Sequence, residues 1–552
     1  MRKLVLLCMS LLLLVGGIVT VSAQEDADLS REPNWWEERV WYLLFVRSFY
    51  DSDGDGIGDI QGIIERLDYL NDGDPNTTDD LGITGIWLLP IMESNAYHGY
   101  WTTDFFSVES DYGTMEDFQQ LMDEAHARGI AVIIDYVYNH VSTEHPWFQS
   151  AVAGDETFED YFIWEEENPG YNGPWGATTW WRNSTNDLWY YSPFDSALAD
   201  LNHTNPAVTE EMNEIARFWL EDIGVDGFRM DAIRYVIEIE VDGRPILADS
   251  PTNREYLAEF NAFVNEVSPD VFTVGEIFVN SSNTISRYVE DGAVDAAFEF
   301  ALAEEIIGAA QLGNKRNIER QLATTLRELA PGTFMNFSTN HDQPRLLTLL
   351  GEDEGQNRVV ANLLMTLPGA PFIYYGEEIG MTGTNATEDD RQIRRPLPWD
   401  ESENHGFTTG TPWFPLEEDA DIRNIARQID NPDSLLSHYR SLIHLRNSQP
   451  ALQYGATIPV DSSYRAAWGY LRSTDEETLL VVLNLDDRET TPYTFAVESS
   501  PLTSVSSVDV LYATSEITTN LPELTETGGF TEYTPINETL PPYSIYVLRL
   551  NP

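Results

Sequence analysis

The chain has 552 residues, which is too long for one ordinary domain. Its 92 acidic side chains outnumber 31 lysines and arginines, and the formal net charge of −61 argues against nucleic acid or an anionic membrane surface as partner. The hydrophobic fraction of 42% and the aromatic fraction of 12% exclude a largely disordered chain.

The first segment has the layout of a secretory signal peptide, residues 1–23. Arg2 and Lys3 precede an apolar run at 4–21, and small residues lead to a cleavage position after Ala23. A membrane anchor is the alternative, because 18 near-apolar residues could just cross a bilayer. The only cysteine, Cys8, lies in this segment, so the mature chain would contain no disulfide. The sequence therefore predicts a secreted protein, extracellular or periplasmic, with no membrane association after cleavage.

Eight short apolar runs recur along the chain, with helical patterns between many of them. The runs are Val40–Phe49, Ile83–Pro90, Ile130–Tyr138, Val225–Met230, Val271–Gly275, Ala296–Phe300, Thr333–Phe337 and Pro371–Tyr375. Continuous apolar runs are typical of parallel strands that are buried on both faces. Helices are predicted over Met115–Arg128, Ala207–Asp222 and Asn253–Val267. The pattern predicts an α/β fold, a (β/α)8 TIM barrel, with a doubly wound open sheet as the alternative.

Two interruptions divide the chain further. The barrel pattern, which we place at 34–140 and 206–450, breaks at 141–205 into an aromatic stretch that is too long for an ordinary loop. This stretch is a predicted small inserted domain after the third strand. After a predicted helix at Leu435–Asn447, residues 451–552 form a predicted C-terminal antiparallel β-sandwich domain. Its predicted strands are Ala466–Leu471, Thr478–Leu483, Tyr493–Val497, Val508–Tyr512 and Ser544–Leu550.

Polar side chains stand at the ends of four predicted strands. They are Asp135, Asn139 and His140 at the third strand, Arg229 and Asp231 at the fourth, Glu276 at the fifth, and Asn340, His341 and Asp342 at the seventh. In a barrel, residues at the carboxyl ends of the strands meet in one pocket. A single such residue is more often a salt-bridge or turn residue, but the whole set indicates an active site.

Clustered carboxylates without cysteine or a redox cofactor are typical of glycoside hydrolysis. One carboxylate attacks the anomeric carbon, a protonated one donates to the leaving oxygen, and a third can stabilise the positive transition state. Arg229 lies on the same side of its strand as Asp231, and its charge would keep Asp231 ionised. A glutamate near other anions has a raised pKa, which suits a proton donor. These residues favour Asp231 as nucleophile and Glu276 as acid/base, with the reverse assignment open.

The motifs at these positions resemble a known family. Four segments resemble the motif regions of the α-amylase family of glycoside hydrolases (family 13), and a fifth, weaker one is Ala199–Asn202. The four are Asp135–His140, Gly227–Ala232, Val274–Glu276 and Asn340–Asp342. The resemblance implies retaining hydrolysis of α-glucosidic bonds in an α-glucan through a covalent glycosyl-enzyme. We expect the chain to act as a monomer on this substrate.

The resemblance also implies roles for individual residues. Asp231 would be the nucleophile, Glu276 the acid/base and Asp342 the transition-state stabiliser. The side chains that would hold the sugar in the cleaved subsite are Tyr100, His140, Arg229 and His341.

The substrate within the family is predicted from three further segments. Asp389–Trp399 and Gly406–Trp413 resemble segments of oligo-1,6-glucosidases and α-glucosidases. Those exo-acting enzymes commonly close the site with an aspartate three residues before Tyr100, where this chain has Tyr97. This difference favours an open cleft, and Leu70–Pro75 resembles secreted α-amylases. We therefore expect an α-amylase that cleaves α-1,4 bonds in starch. The alternatives are an exo-acting α-glucosidase or oligo-1,6-glucosidase, a transglycosylase, and a non-catalytic carbohydrate-binding homologue.

The acidic stretch after the first strand predicts a Ca²⁺ site. Its ligands would be Asp51, Asp53, Asp55, the carbonyl of Ile57, and Asp59, at the spacing of an EF-hand loop. Gly62 stands where an EF-hand has its bidentate glutamate, so a calcium sensor is not expected. Hard oxygen ligands favour Ca²⁺ over a transition metal, and a metal-free turn is the alternative. The family resemblance also implies a calcium loop here, and a second calcium site could lie at Asn139 and Asp200.

Overall fold

The computed structural model describes residues 33–241, 244–384 and 389–552. The predicted signal peptide, residues 1–23, and its Cys8 lie outside the described residues, so cleavage and export stay predictions. Among the described residues, no helix combines the length and the apolar character needed to cross a membrane.

Eight parallel strands close into a barrel. They are β1 (Trp41–Leu44), β2 (Gly85–Leu88), β3 (Ala131–Tyr136), β4 (Gly227–Met230), β5 (Phe272–Gly275), β6 (Ala296–Phe298), β7 (Phe334–Phe337) and β8 (Ala370–Tyr374). Each strand pairs in parallel with the next one in sequence, and β8 pairs with β1. This closure confirms the predicted TIM barrel and excludes the open sheet.

The first predicted strand was too long. The apolar run Val40–Phe49 contains β1 and then a short helix, Val46–Phe49. The strand ends because its neighbour ends: Leu44 pairs with Leu88, the last residue of β2. The run stays apolar because Phe45, Val46 and Phe49 are buried beneath the loop that follows.

Helices surround the barrel, and the predicted ones are present. The α-helices of this part are Ile60–Leu70, Met115–Ala127, Pro206–Arg217, Pro251–Val267, Ser282–Glu290, Phe300–Leu312, Arg316–Glu328, Leu346–Leu349, Glu354–Thr366, Ile425–Ile429, Leu435–Asn447 and Pro450–Gln453. Short 3-10 turns lie at Trp35–Glu38, Ile233–Tyr235, Asp390–Ile393 and Glu403–Gly406. The helix predicted over Ala207–Asp222 continues from Arg217 as a π-helical turn, Phe218–Ile223, and ends at Gly224, whose φ is +86°.

The predicted inserted domain, 141–205, leaves and rejoins the barrel at adjacent points. Its first strand, His140–Ser142, pairs antiparallel with its last, Leu198–Asp200. Between them lie the helix Pro146–Val152, the 3-10 turn Glu159–Tyr161 and the strands Trp164–Glu165, Trp180–Arg182 and Trp189–Tyr191. Two further hairpins lie in the segments that follow β2 and β4. They pair Met92–Ser94 with Thr102–Val108 and Ile239–Val241 with Arg244–Ile246.

The C-terminal part is an antiparallel sheet with its own apolar core. In spatial order its strands are Ser507–Ala513, Ile545–Asn551, Thr478–Asn484, Ala467–Ser473, Ala456–Ser462, Phe495–Ser499 and Gly528–Tyr533. Side chains from both halves, such as Leu480 and Phe530, share one buried cluster. The five predicted strands are present. Ala456–Ser462 and Gly528–Tyr533 were missed because Pro459 and the Gly528-Gly529 pair are typical of turns.

Two buried arginines lie where the C-terminal part meets the barrel. Arg472 donates to the carbonyls of Thr366 at 2.8 Å and Gly455 at 3.0 Å. Arg446 donates to the carbonyl of Met365 at 3.0 Å, and burial lowers its pKa to about 9. Arg446 also donates to the carbonyl of Gln453 at 3.3 Å. Buried carbonyls need such donors, so these side chains connect the two parts.

Replacing Arg472 with methionine should destabilise the protein by about 2–5 kcal/mol, because two buried carbonyls lose their donor. The matched control is Arg427→Met, since the Arg427 side chain is 54% exposed and its ion-pair partner Glu401 is 60% exposed. That change should cost less than about 1 kcal/mol. Urea unfolding followed by tryptophan fluorescence measures both, and equal losses would contradict the role given to Arg472.

Candidate active site

The structure brings together all seven side chains that the sequence placed in the catalytic pocket. His140 begins the short strand that follows β3, Arg229 lies on β4, and Asp231 and Glu276 directly follow β4 and β5. The segment with His341 and Asp342 follows β7, and Tyr100 comes from the loop after β2. These positions converge because the carboxyl ends of parallel barrel strands share one face.

Arg229 is the centre of the charge arrangement, and its side chain is only 1% exposed. Its Nη1 donates to Asp135 Oδ1 at 2.8 Å and to Asp231 Oδ1 at 2.5 Å. Its Nη2 lies 2.9 Å from Glu276 Oε2. The guanidinium also lies 5.1 Å from the centre of the Trp87 ring. One buried cation therefore fixes three carboxylates at the floor of the pocket.

The environment of Glu276 differs from that of an ordinary surface glutamate. Burial raises its pKa to about 7, the charges of Asp231 and Asp342 add to the rise, and Arg229 opposes it. Its Oε2 accepts a hydrogen bond from the backbone N–H of Ala232 at 3.2 Å. Near neutral pH this side chain can therefore carry a proton, as a general acid must.

Tyr100 connects two of the polar groups. Its hydroxyl donates to Asp135 Oδ2 at 2.9 Å and contacts His341 Nε2 at 2.6 Å. The Tyr100 and His341 rings stack with an interplanar angle of 9°. Burial lowers the pKa of His341 to about 3, so this imidazole is neutral at physiological pH.

His140 and Asp342 offer polar atoms to the cavity. His140 is buried, burial lowers its pKa, and neither ring nitrogen has a hydrogen-bond partner in the part of the chain that the structure describes. The Asp342 side chain is 52% exposed and accepts from Arg394 Nη2 at 2.9 Å. Enclosure in the pocket opposes the charge of Asp342, but the guanidinium groups of Arg394 and Arg229 lower its pKa. A neutral imidazole and an ionised carboxylate suit sugar hydroxyls.

The cavity above these groups has a volume of about 280 Å³. Besides the polar residues it is lined by the aromatic side chains Trp175, Phe194, Tyr235 and Phe278. Trp175 of the inserted segment is 56% exposed, and its ring centre lies 5.3 Å from that of Tyr235. An exposed aromatic face beside polar groups suits the apolar face of a sugar.

Sequence reasoning assigned no role to these aromatic side chains or to Arg394. Tyr235 and Phe278 stand four and two positions after Asp231 and Glu276, and that proximity was the available signal. Arg394 lies in Asp389–Trp399, which was recognised as a motif without a function for its residues. Its Nε donates to the carbonyl of His341 at 2.9 Å.

The acidic loop after β1 gathers three of its predicted calcium ligands. Oxygen atoms of Asp51, Asp53 and Asp59 lie within 4.8 Å of one another. Asp55 lies outside this cluster, and its Oδ1 accepts from the backbone N–H of Ile57 at 2.8 Å. Three carboxylates this close favour a divalent cation with oxygen ligands. They fit the predicted Ca²⁺, which stays a prediction.

The acidic loop packs on the Gly406–Trp413 segment. The Thr408 hydroxyl donates to Asp51 Oδ2, and the Trp413 N–H donates to the Gly56 carbonyl at 2.8 Å. Gly56 has a φ of +100°, and a Cβ there would lie 1.9 Å from the Thr411 carbonyl oxygen. Only glycine fits at this position. The two motifs identified separately in the sequence are therefore one packed unit.

The second predicted calcium position has its two residues in contact. Asn139 Nδ2 donates to Asp200 Oδ1 at 2.7 Å, and both residues are buried. Burial raises the pKa of Asp200 well above its usual range, and the neighbouring Glu238 adds to the rise. This site stays a prediction too.

Chelation of divalent cations should lower the melting temperature, because a cation bound to the folded loop stabilises only the folded state. In Asp53→Asn one charged ligand is lost, so the shift caused by the chelator should fall by at least half. Asp187→Asn removes a carboxylate whose side chain is 75% exposed in the inserted segment and should keep the full shift. Differential scanning calorimetry with and without a chelator measures this. The same shift in all three proteins would place the calcium elsewhere.

Comparison with known proteins identifies the family. Residues 43–455 match the family description "Alpha amylase, catalytic domain". The chain is 34% identical over 469 residues to alpha-amylase 3 of Dictyoglomus thermophilum, with 83% of this chain and 86% of that protein covered. It is 33% identical over 526 residues to an oligo-1,6-glucosidase of Parageobacillus thermoglucosidasius, with 82% and 91% covered. The crystal structure of an α-amylase from H. orenii matches with a TM-score of 0.78 at 37% identity, with 93% and 99% covered. The chain therefore belongs to the α-amylase family of glycoside hydrolases, family 13.

Proposed function

We propose that the protein is a retaining α-glucosidase that removes glucosyl units from short α-glucosides. Asp231 is the nucleophile, Glu276 the acid/base and Asp342 the residue that stabilises the transition state. The substrate class is the α-glucan oligosaccharides, and Tyr100, His140, Arg229 and His341 hold the sugar in the cleaved subsite.

The observation that carries this proposal is the shared guanidinium of Arg229. Asp231 Oδ1 and Glu276 Oε2 bind its two terminal nitrogens at 2.5 Å and 2.9 Å. Such an arrangement favours the short carboxylate separation of a retaining enzyme, about 5–5.5 Å, over the wider gap that admits a water in inverting enzymes. Asp231 is then close enough to attack the anomeric carbon directly.

The two steps of the hydrolysis follow from the different surroundings of Asp231 and Glu276. Asp231, held against Arg229, forms a bond to the anomeric carbon while Glu276 gives its proton to the departing glycosidic oxygen. Glu276 then takes a proton from a water, which attacks the anomeric carbon and releases Asp231. Positive charge develops on the sugar in both steps. Asp342 faces the same cavity, and because its pKa is lowered its carboxylate is ionised there. The neutral His140 and His341 add no positive charge beside it.

Two observations support short substrates. The cavity of about 280 Å³ is small, and relatives that cover most of the chain include oligo-1,6-glucosidases. Export and a calcium-stabilised monomer, both predicted from the sequence, complete the proposal.

The second candidate is the α-amylase activity that the sequence predicted. It is favoured by Tyr97 at the position where exo-acting relatives commonly have aspartate, and by the likeness to alpha-amylase 3. Internal cleavage of starch needs an open cleft on both sides of Asp231.

The activity should fall as the pH rises above about 7. Glu276 must be protonated in the first step, and its raised pKa of about 7 keeps the proton below that pH and loses it above. The pH dependence of kcat/KM should therefore show an alkaline limb near pH 7. In Glu276→Gln the activity should drop by about 10²–10⁴-fold, and that limb should disappear. A wild-type profile that stays flat to pH 9 would contradict Glu276 as the acid.

A product time course separates the candidate functions. Maltotriose, isomaltose, a cyclodextrin and starch are incubated with the enzyme, and early products are resolved by chromatography and by NMR of the anomeric proton. We expect glucose, released first as the α-anomer, from the two short substrates and little product from the cyclodextrin. Mixed oligosaccharides appearing early from starch would favour the α-amylase. New disaccharides would indicate transglycosylation, and activity unchanged in Glu276→Gln would overturn the mechanism.

A further inference from the structure

A second groove lies at the end of the barrel opposite to the catalytic pocket. This amino-end groove has a volume of about 560 Å³, and its lining includes Trp35, Arg39, His126, Asp226 and Asp270. The two aspartates stand just before β4 and β5, at the amino ends of strands whose carboxyl ends carry catalytic residues. A barrel strand such as β3, which is six residues long, spans roughly 15–20 Å. A ligand in this groove is therefore separate from the sugar unit that the catalytic pocket holds.

Arg39 brings a cation with unused donors to the amino-end groove. Its Nη1 donates to the Gly129 carbonyl at 2.9 Å, and its Nε has no hydrogen-bond partner in the part of the chain that the structure describes. Burial lowers the pKa of Arg39, although the charges of Glu38 and Asp226 oppose that shift. A half-buried guanidinium with an unpaired N–H gains from an additional acceptor, such as an oxygen of a ligand.

Asp226 supplies an acceptor on the other side. Its Oδ2 accepts from the backbone N–H of Val132 at 2.6 Å and lies 2.9 Å from His126 Nε2. Both contacts involve the same oxygen, so Oδ1 is left for a ligand, and the Asp226 side chain is 29% exposed. With Asp270 as a second carboxylate beside one guanidinium, the groove disfavours an anion and offers hydrogen-bond donors and acceptors close together.

Trp35 gives the amino-end groove an apolar wall. Its indole N–H donates to the Asp270 carbonyl at 3.0 Å, which fixes the ring. The rings of Trp36, Trp41 and Phe272 meet it at interplanar angles of 80°, 52° and 76°, so none of the three stacks on it in parallel. A pyranose has a face of C–H groups that suits an aromatic ring, and a rim of hydroxyls that both donate and accept.

We propose that the amino-end groove is a second, non-catalytic site that binds a glucosyl unit of an α-glucan. The sugar ring lies against Trp35, while adjacent hydroxyls accept from Arg39 and donate to Asp226. A neutral polyol fits the mixture of one cation and two carboxylates, and an α-glucan is the neutral polyol that a member of the α-amylase family meets. The site goes beyond the proposed function, because it holds a glucan without taking part in cleavage.

The test counts the sugars that one chain binds. In Glu276→Gln hydrolysis is slow enough for equilibrium dialysis with radiolabelled maltotriose, which should find two molecules bound per chain. Adding Arg39→Met keeps the alkyl stem but removes the donors, so the second molecule should bind about 10-fold or more weakly, the loss of a hydrogen bond to a charged group. Adding Trp35→Ala should weaken the same molecule. The matched control, Arg427→Met, changes an exposed arginine outside the groove and should keep both.

Kinetics with Glu276 intact separate sugar binding from damage to the fold. Arg39→Met should keep the wild-type melting temperature and kcat/KM for maltotriose, because the catalytic pocket lies at the other end of the barrel. If Arg39→Met loses the second molecule together with activity and melting temperature, the groove supports the fold, and the inference is overturned.

The binding counts decide the inference without reference to turnover. One maltotriose per chain in Glu276→Gln would overturn it, since the catalytic pocket accounts for that molecule. Two molecules bound with unchanged affinity in both groove variants would place the second site elsewhere and overturn the assignment as well. If the proposed hydrolysis fails while the second molecule is lost in Arg39→Met, the inference stands without the proposed function.

Discussion

The site depends on one buried cation. Arg229 is almost completely shielded from water, and Asp135, Asp231 and Glu276 all contact its guanidinium. Removing charges from water costs several kcal/mol per ion, which excellent geometry and extra hydrogen bonds can offset. One positive charge cannot fully compensate three negative ones, so the arrangement favours a state in which one acid keeps its proton. Burial and the neighbouring charge of Asp231 raise the pKa of both Asp135 and Glu276 to about 7.

The ends of the barrel strands provide these charges, but the walls of the cavity come from the loops and from the inserted segment. The aromatic side is built by Trp175 and Phe194 of the inserted segment together with Tyr235 and Phe278 of the barrel loops. The segment after β8 contributes Arg394, which donates to Asp342 Oδ1 at 2.9 Å. The charged floor and the aromatic wall of the cavity therefore lie largely on different segments, and one can change while the other is kept.

The sequence predicted what local patterns determine. Continuous apolar runs gave the barrel strands, and the strand ends gave Asp231, Glu276 and Asp342. It overestimated the first strand, because Val46–Phe49 is apolar for packing and not for pairing. It assigned no role to Arg394, because that residue contacts Asp342 across 52 positions of the chain, and no local pattern encodes such a contact.

The packing of the acidic loop on Gly406–Trp413 also has a consequence for folding order. The Thr408 hydroxyl meets Asp51 across 357 positions, so the two sides of this contact leave the ribosome far apart in time. Contacts of such separation form late, after the cost of closing a long loop has been met. Until then the aspartates would be held only by N–H groups of their own loop, such as that of Gly54, which donates to Asp51 Oδ1 at 2.7 Å. A cation bound to the acidic loop at that stage would stabilise its contact with the Gly406–Trp413 segment.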